Sequence, residues 1–328
     1  LKKVTDRQFI EAWERLGGAQ AVSEELDMNV RSVHLRRRSI EASHGMELKA
    51  KHGMWVLKEQ EFIRLQLDNA RVLVSSDIHV WPDVETTAMA AFVLACEHMK
   101  PDVVVLNGDV FDGTTISRFG PSEANKQPSP KEELEACVSW VGRVAAAARK
   151  GNRKVRLIWT MGNHDNRYVR KLVEAAAGYA GIHGMDIRDH FPEWEFCYRL
   201  TINEGEPGHT DVVHNWAGGV HAAYNNVLRS GVSYVTGHTH RSLTRPWRDR
   251  TGMRWGVETG TGMEIDGPQA YYVAGRPVDW HPGFPLLTFH KGRLLRPEHL
   301  DVLEEGEFSF RGQVVAIDEF SQSLALGR

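Results

Sequence analysis

The stretch Arg71-Val72-Leu73-Val74-Ser75-Ser76-Asp77-Ile78-His79 sets an apolar run directly against a carboxylate and an imidazole, and its reading decides the fold. A short apolar run that ends in a polar cluster predicts a strand. The construction recurs along the chain. Asp102-Val103-Val104-Val105-Leu106-Asn107 leads into Gly108-Asp109-Val110-Phe111-Asp112, and Val155-Arg156-Leu157-Ile158-Trp159-Thr160 into Gly162-Asn163-His164-Asp165. Thr210-Asp211-Val212-Val213 ends on His214, and Val232-Ser233-Tyr234-Val235-Thr236 on Gly237-His238-Thr239-His240. Helical stretches at residues 86–99 and 131–150 separate the first three strands. Strands alternating with helices predict an α/β domain, whose ligands gather at the carboxyl ends of strands.

The residues at those ends suit metal ions. Carboxylates, imidazoles and an amide oxygen without a thiolate form a mixed O/N set compatible with Mn²⁺, Fe or Zn²⁺. Asp-x-His and His-x-His, taken as extended segments, would turn alternate side chains to one face. Glycines before Asp109, Asn163 and His238 allow tight turns and close backbone approach.

In this order, D-x-H, G-D-x-x-D, G-N-H-D, a lone His and G-H-x-H, the motifs resemble those of the calcineurin-like metallophosphoesterases, over about residues 70 to 265. The resemblance implies a four-layer α-β-β-α sandwich. It also implies two divalent metal ions, with Asp77, His79 and His240 on one, Asn163, His214 and His238 on the other, and Asp109 bridging both. Such a pair supplies hydroxide near neutral pH as the nucleophile for phosphoester hydrolysis. By the same resemblance His164 would protonate the leaving oxygen, and Asp112 and Asp165 would orient the histidines. His221 is the rival for the lone-histidine position, but only His214 ends an apolar strand. His98, His190 and His299 are read as ordinary core or surface residues.

The match has one departure. In the family's serine/threonine protein phosphatases the second motif continues G-D-x-x-D-R-G and the third reads G-N-H-E. Here Gly113 follows Asp112, so the phosphate-gripping arginine is missing from that place, and Arg118 or Arg167 are the candidates to replace it.

Residues 1–65 read differently, as an all-α module. Phe9, Trp13, Leu16, Val22, Leu26, Val30, Val33 and Ile40 fall at helical spacing. Residues 18–38 read as helix, turn, helix, with Asn29 as the N-cap of the second helix. This resembles a helix-turn-helix DNA-binding module. Met28 to Ile40 holds four arginines and no acid. Arg31 and His34 are placed for base edges, and Arg36, Arg37 and Arg38 for phosphates. Against this, residues 1–70 as a whole carry 12 basic and 11 acidic side chains, and helix pairs of this size also serve packing or assembly. A module of this kind joined to this catalytic domain resembles phage or prophage metallophosphoesterases.

Composition bounds the rest. Of 328 residues 41% are hydrophobic, and the formal charge is −3, so a nucleic-acid partner must be recognised through local charge. Three cysteines without a C-x-x-C pair fit a reducing compartment. No apolar run approaches the roughly 20 residues that span a bilayer, and the first residues show no signal-peptide segment. The expectation is a cytoplasmic protein of a bacterial or phage-infected cell, with DNA as partner, no membrane, and homo-oligomerisation left open. The boundaries expected are 1–65 for the helical module, 66–300 for the phosphoesterase and 301–328 for a tail without assigned role.

Three functions compete. The first is a DNA-directed phosphodiesterase or nuclease. The second is a phosphomonoesterase or small-nucleotide phosphodiesterase whose N-terminal helices serve assembly. The third, a DNA-binding regulator with an inactive phosphoesterase fold, is disfavoured because every ligand position is filled and His164 is retained.

Overall fold

The computed structural model describes residues 4–16, 19–46, 48, 62–116, 127–179, 181–273 and 276–319. It divides into two compact units, Leu1–Lys58 and Glu59–Arg328.

In the first unit α1 (Asp6–Leu16), α2 (Ala19–Glu25) and α3 (Val30–His44) close on Phe9, Trp13, Val22, Val33 and Ile40. These are residues whose helical spacing is visible in the sequence. The Asn29 side chain accepts the Arg31 N–H at 2.9 Å and so caps α3, as expected from its place before the helix.

The second unit begins with β1 (Phe62–Leu65), β2 (Ala70–Ser75), α4 (Thr87–His98), β3 (Val103–Leu106), α5 (Pro130–Gly151), β4 (Arg156–Thr160) and α6 (Asp165–Ala176). It continues through β5 (Glu195–Cys197), β6 (Arg199–Ile202), β7 (Thr210–Val213), α7 (Ala222–Ser230), β8 (Ser233–Thr236), β9 (Ser242–Asp249) and β10 (Gly252–Thr259). It closes with β11 (Gly283–His290), β12 (Arg293–Leu294), β13 (Glu298–Glu304), β14 (Glu307–Phe310) and β15 (Gln313–Ala316).

The strands form two sheets. One is six-stranded, in the order β1-β6-β7-β8-β10-β9. The other is nine-stranded, in the order β15-β14-β13-β11-β2-β3-β4-β5, with β12 on β11. The central β2, β3 and β4 run parallel, and their alternation explains why they read as unbroken apolar runs. Val72, Val74, Val103, Val105 and Ile158 face the six-stranded sheet and pack with Leu200, Ile202, Val212, Val235 and Val257. Leu73, Val104, Leu106, Leu157 and Trp159 face the other way, into a core shared with Phe92 of α4 and Trp140 of α5. With α7 packed on β8 and β10, the layers run helix, sheet, sheet, helix. This is the α/β four-layer sandwich expected.

Two boundaries differ from the sequence reading. Residues 62–65 are not part of the helical module; they pair in parallel with β6. Residues 301–316 are not a tail, because β13, β14 and β15 extend the nine-stranded sheet beyond β11. Strands β13 and β14 mix charged and polar residues with apolar ones, a pattern weaker than the buried runs that mark the centre, whereas Gln313-Val314-Val315-Ala316 is legible as the short apolar strand it forms.

Phe92 joins α4 to α5 and β11, with its ring 6.3 Å from that of Trp140 and 5.0 Å from that of Phe284. Phe92→Ala should lower unfolding free energy by about 3–5 kcal/mol, read as a lower denaturant midpoint. A shift under about 1 kcal/mol would mean that this layer does not bear on stability.

Candidate metal centre

The loops after β2, β3 and β8 lie side by side because their backbones pair. Asp77 N–H donates to Gly108 O at 3.0 Å, His79 N–H to Asp109 O at 3.0 Å and His238 N–H to Asp77 Oδ2 at 2.8 Å. The segments are not extended as expected. Asp77 (φ 53°), His79 (φ 47°), Asp109 (φ 54°), His238 (φ 68°) and His240 (φ 60°) all take the left-handed conformation. A non-glycine residue held there costs on the order of 1–3 kcal/mol. The shared facing of Asp77 and His79 therefore comes from two left-handed turns around buried Ile78, and not from strand pleat.

The motif glycines make this approach feasible. A Cβ on Gly162 would collide with the Asp109 backbone nitrogen and carboxylate, and one on Gly237 with Ser76 and Asp77.

Two groups that share no residue converge, beside a third made by His79, Asp112 and His164. The ligating atoms of Asp77, His79 and His240 lie within 4.8 Å of one another, as do those of Asp109, His214 and His238. Buried His214 donates from Nδ1 to Asn107 O at 2.8 Å, so its Nε2 presents a lone pair. That lone pair faces Asp109 Oδ2 at 3.0 Å. His79 Nδ1 is held by Asp112 Oδ1 at 2.9 Å, which leaves its Nε2 in the same condition. Asp77 Oδ1, His79 Nε2 and His214 Nε2 are buried acceptors without a donor. Buried polar groups are seldom left so, and acceptors facing acceptors fit divalent cations. His221, exposed at the start of α7, is absent from both groups. Asn163 is exposed in the loop around Asp109, and its amide makes no hydrogen bond among the described residues.

The electrostatics agree. Burial raises the Asp77 carboxyl, but His240 and His214 outweigh it and hold it at about 2. Asp109 is likewise raised by burial and brought far down by His214 and His164. Burial lowers the His214 imidazole, yet Asp109 and Asp77 push it up to about 10. A field that holds a proton so firmly on a buried imidazole attracts a cation in its place.

Beside these groups runs a histidine–carboxylate chain. Asp112 accepts from His79 and, at 2.7 Å, from His164 Nδ1. Arg167 reaches His164 Nε2 with Nη2 at 2.8 Å and Asp112 O with Nη1 at 3.0 Å. Arg167 therefore sits at the centre, as one of the two candidates for the missing phosphate-gripping arginine. Arg118 lies outside the described residues.

Asp165 departs from its expected role. It touches no imidazole, and accepts instead from the backbone N–H groups of Asp109 (2.9 Å), Val110 (3.0 Å), Phe111 (3.1 Å) and Gly162 (2.9 Å), and from Trp159 Nε1 (3.1 Å). It fixes the loop that carries Asp109.

Ser76, Asn107 and Glu133 were not legible as site residues. The Ser76 hydroxyl lies 2.5 Å from Asp77 Oδ2 and 2.7 Å from Asn107 O and shares its one proton between them. Asn107 Oδ1 accepts from Thr160. A fully buried polar residue closing the run Val103–Leu106 is a signal that could have marked Asn107. Buried Glu133, on α5, accepts from Gly113 N–H at 2.6 Å and Thr114 N–H at 3.2 Å; no local motif marks it.

Among the exposed residues of α3 are Arg31, His34, Leu35 and Arg38, which share one face at helical spacing. Arg36 and Arg37, expected on phosphates, turn inward. Arg36 pairs with Asp6 at 2.9 Å and lies over Phe9, and Arg37 pairs with Glu41 at 2.8 Å and lies over Trp13.

The family profile of the calcineurin-like phosphoesterases matches residues 70–242, and the chain belongs to that family of phosphoester hydrolases. Its relatives include the Gene 54 proteins of two mycobacteriophages. That of Mycobacterium phage D29 is 28% identical over 260 residues, covering 74% of this chain and 98% of the relative. That of phage L5 is 28% identical over 268 residues, with 74% and 98% covered. Similar solved structures include Zn²⁺-complexed Vps29 from Entamoeba histolytica, with TM-score 0.39, 14% identity, and 75% of this chain and 99% of that one covered. A dimetal phosphatase from Danio rerio matches with TM-score 0.35, 11% identity, and 76% and 98% covered. No helix among the described residues is long and apolar enough to cross a membrane, and Cys96, Cys137 and Cys197 are free and buried.

Burial, then Asp112, raises the Glu133 carboxyl from 4.5 to about 7. The folded chain keeps this proton where the unfolded chain has lost it. The stability it contributes is present in full below pH 4.5 and is lost as pH rises through about 7. In chelator, the denaturation midpoint of the parent should fall relative to that of Glu133→Gln between pH 5 and 8. A gap that stays flat or moves the other way would contradict the shift.

Proposed function

We propose that the chain is a dinuclear metal-dependent phosphodiesterase acting on DNA in the cytoplasm of a bacterial or phage-infected cell. The observation that carries the hydrolytic part is the pair of three-residue groups with buried acceptors lacking donors. In this reading Asp77, His79 and His240 hold one ion, Asn163, His214 and His238 the other, and Asp109 is shared. The donor set suits Mn²⁺, with Fe or Zn²⁺ as alternatives. When bound, such a pair supplies Lewis acidity and lowers the pKa of water to near neutrality.

The remaining work falls to the chain's own side chains. Asp112 fixes the His164 ring through Nδ1, so that Nε2, once free of Arg167 and protonated by water, is the atom that would hand a proton to the leaving oxygen. Arg167, against the same Nε2, grips the phosphate and gives His164 up to the substrate when it does so. Support for DNA over small esters comes from the exposed Arg31–His34–Leu35–Arg38 face of a capped helix, the part of a helix-turn-helix that enters the major groove.

With Mn²⁺ and single-stranded or duplex DNA the protein should cleave, and Asp109→Ala should abolish cleavage and lose both ions by elemental analysis. DNA left intact to the level of the Asp109→Ala control, with fast turnover of small phosphate esters and no DNA affinity at low salt, would contradict the DNA-directed reading. His164→Ala should keep its metals and lose about 10²–10⁴-fold in turnover; equal rates would remove His164 from the chemistry.

A further inference from the structure

His240 is followed at once by an arginine-rich hairpin. Residues 241–254, comprising β9, its turn and the start of β10, hold five arginines against one aspartate in a chain whose formal charge is −3. Two of the five are neutralised. Arg241 pairs with Glu258 at 2.9 Å, and Arg254 with Asp249. Arg245, Arg248 and Arg250 are exposed and have no ion pair among the described residues. The Arg245 guanidinium lies over the Tyr224 ring at 5.8 Å, a contact that positions the group without neutralising its charge.

A plainer explanation is that β9 is an edge strand, and edges carry charge and proline to prevent pairing with another chain. Pro246 serves that purpose. The other charged edges of this unit, however, balance their charges. On β1 Arg64 pairs with Glu204 at 2.7 Å, and on β5 Glu195 pairs with Arg156 at 2.6 Å. Only the hairpin beside the metal centre carries unpaired charge of a single sign among the described residues of these three edges. Edge protection does not require that.

We propose that Arg245, on the α7 side of β9, and Arg248, on the opposite face of the strand, flank its open edge and form with Arg250 a track there for the phosphodiester backbone of DNA, leading away from the metal centre. This rests on the DNA-directed reading for the identity of the polyanion and adds where, and over what length, it is held. At about 3.3 Å per residue, the path from His240 to Arg248 is on the order of 26 Å. With a rise of about 3.4 Å per nucleotide, the track reaches about eight nucleotides from the bond to be cut.

The test is equilibrium binding of the full chain to a labelled 20-nucleotide DNA, single-stranded and duplex, across salt concentrations. Chelator is present so that binding is read without turnover. Neutralising three phosphate contacts should lower the slope of log affinity against log salt by about 2–3 in the triple variant Arg245→Ala, Arg248→Ala, Arg250→Ala. The triple Arg→Lys variant should keep the parent slope. Parental affinity should fall sharply for oligonucleotides shorter than about eight residues, and that length dependence should vanish in the alanine variant. Hydrolysis of bis(p-nitrophenyl) phosphate with Mn²⁺ should be the same in parent and variants, showing an intact centre. An unchanged salt slope, or no DNA binding by the parent at low salt, would overturn the track. The predicted loss of slope in a protein that cleaves no DNA would retain the track and overturn the nuclease reading.

Discussion

The carboxylate of Asp165 ties this molecule together. One side chain accepts four backbone N–H groups and the Trp159 indole, and through them it joins the end of β4, the start of α6 and the loop after β3. A buried carboxylate is costly unless its lone pairs are filled, and here they are filled by the backbone that must be held still. Asp109 can then keep a left-handed backbone and a buried charge at once. The loop after β2, paired to this loop through Asp77 and His79, takes its position in turn.

What that restraint stores is electrostatic as well as conformational. Asp77, Asp109 and Asp112 are buried with imidazoles, of which His79 and His164 have Nδ1 fixed by Asp112 and His214 by the Asn107 carbonyl. The Nε2 atoms of His79 and His214 are thereby left as the places for a second proton or a metal ion. Carboxylate and lone pair then face each other, stable together only with positive charge close by. Five left-handed residues and a cluster of unmatched acceptors are tolerated for the same reason: two buried sheet faces and α4 and α5 oppose their relaxation.

The sheet was legible because strands buried on both faces have few alternatives to Val, Ile and Leu. The motifs were legible because they close those strands. The left-handed backbone at Asp77 and His240 was not, since residue spacing reports which side chains alternate and carries no information about the sign of φ. Asp165 was given the wrong partner for a similar reason. Its place after His164 suggests an imidazole, whereas α6 starts at Asp165 and turns it back under the Asp109 loop. The arginines of α3 were read as one cluster, although consecutive helical residues point about 100° apart, and Arg36 and Arg37 belong to the module's own packing. The single-signed charge of the β9–β10 hairpin was spelled out in the sequence, but only the pairing of Arg241 and Arg254 shows which charges are free.

Everything about the centre turns on whether two cations take the place that the unmatched acceptors mark. Anomalous diffraction from crystals grown with Mn²⁺ reads this directly. Two peaks about 3.5–4 Å apart are predicted, one against Asp77, His79 and His240, the other against His214 and His238, with Asp109 between them. A single peak, or a pair away from Asp109, would contradict the dinuclear centre.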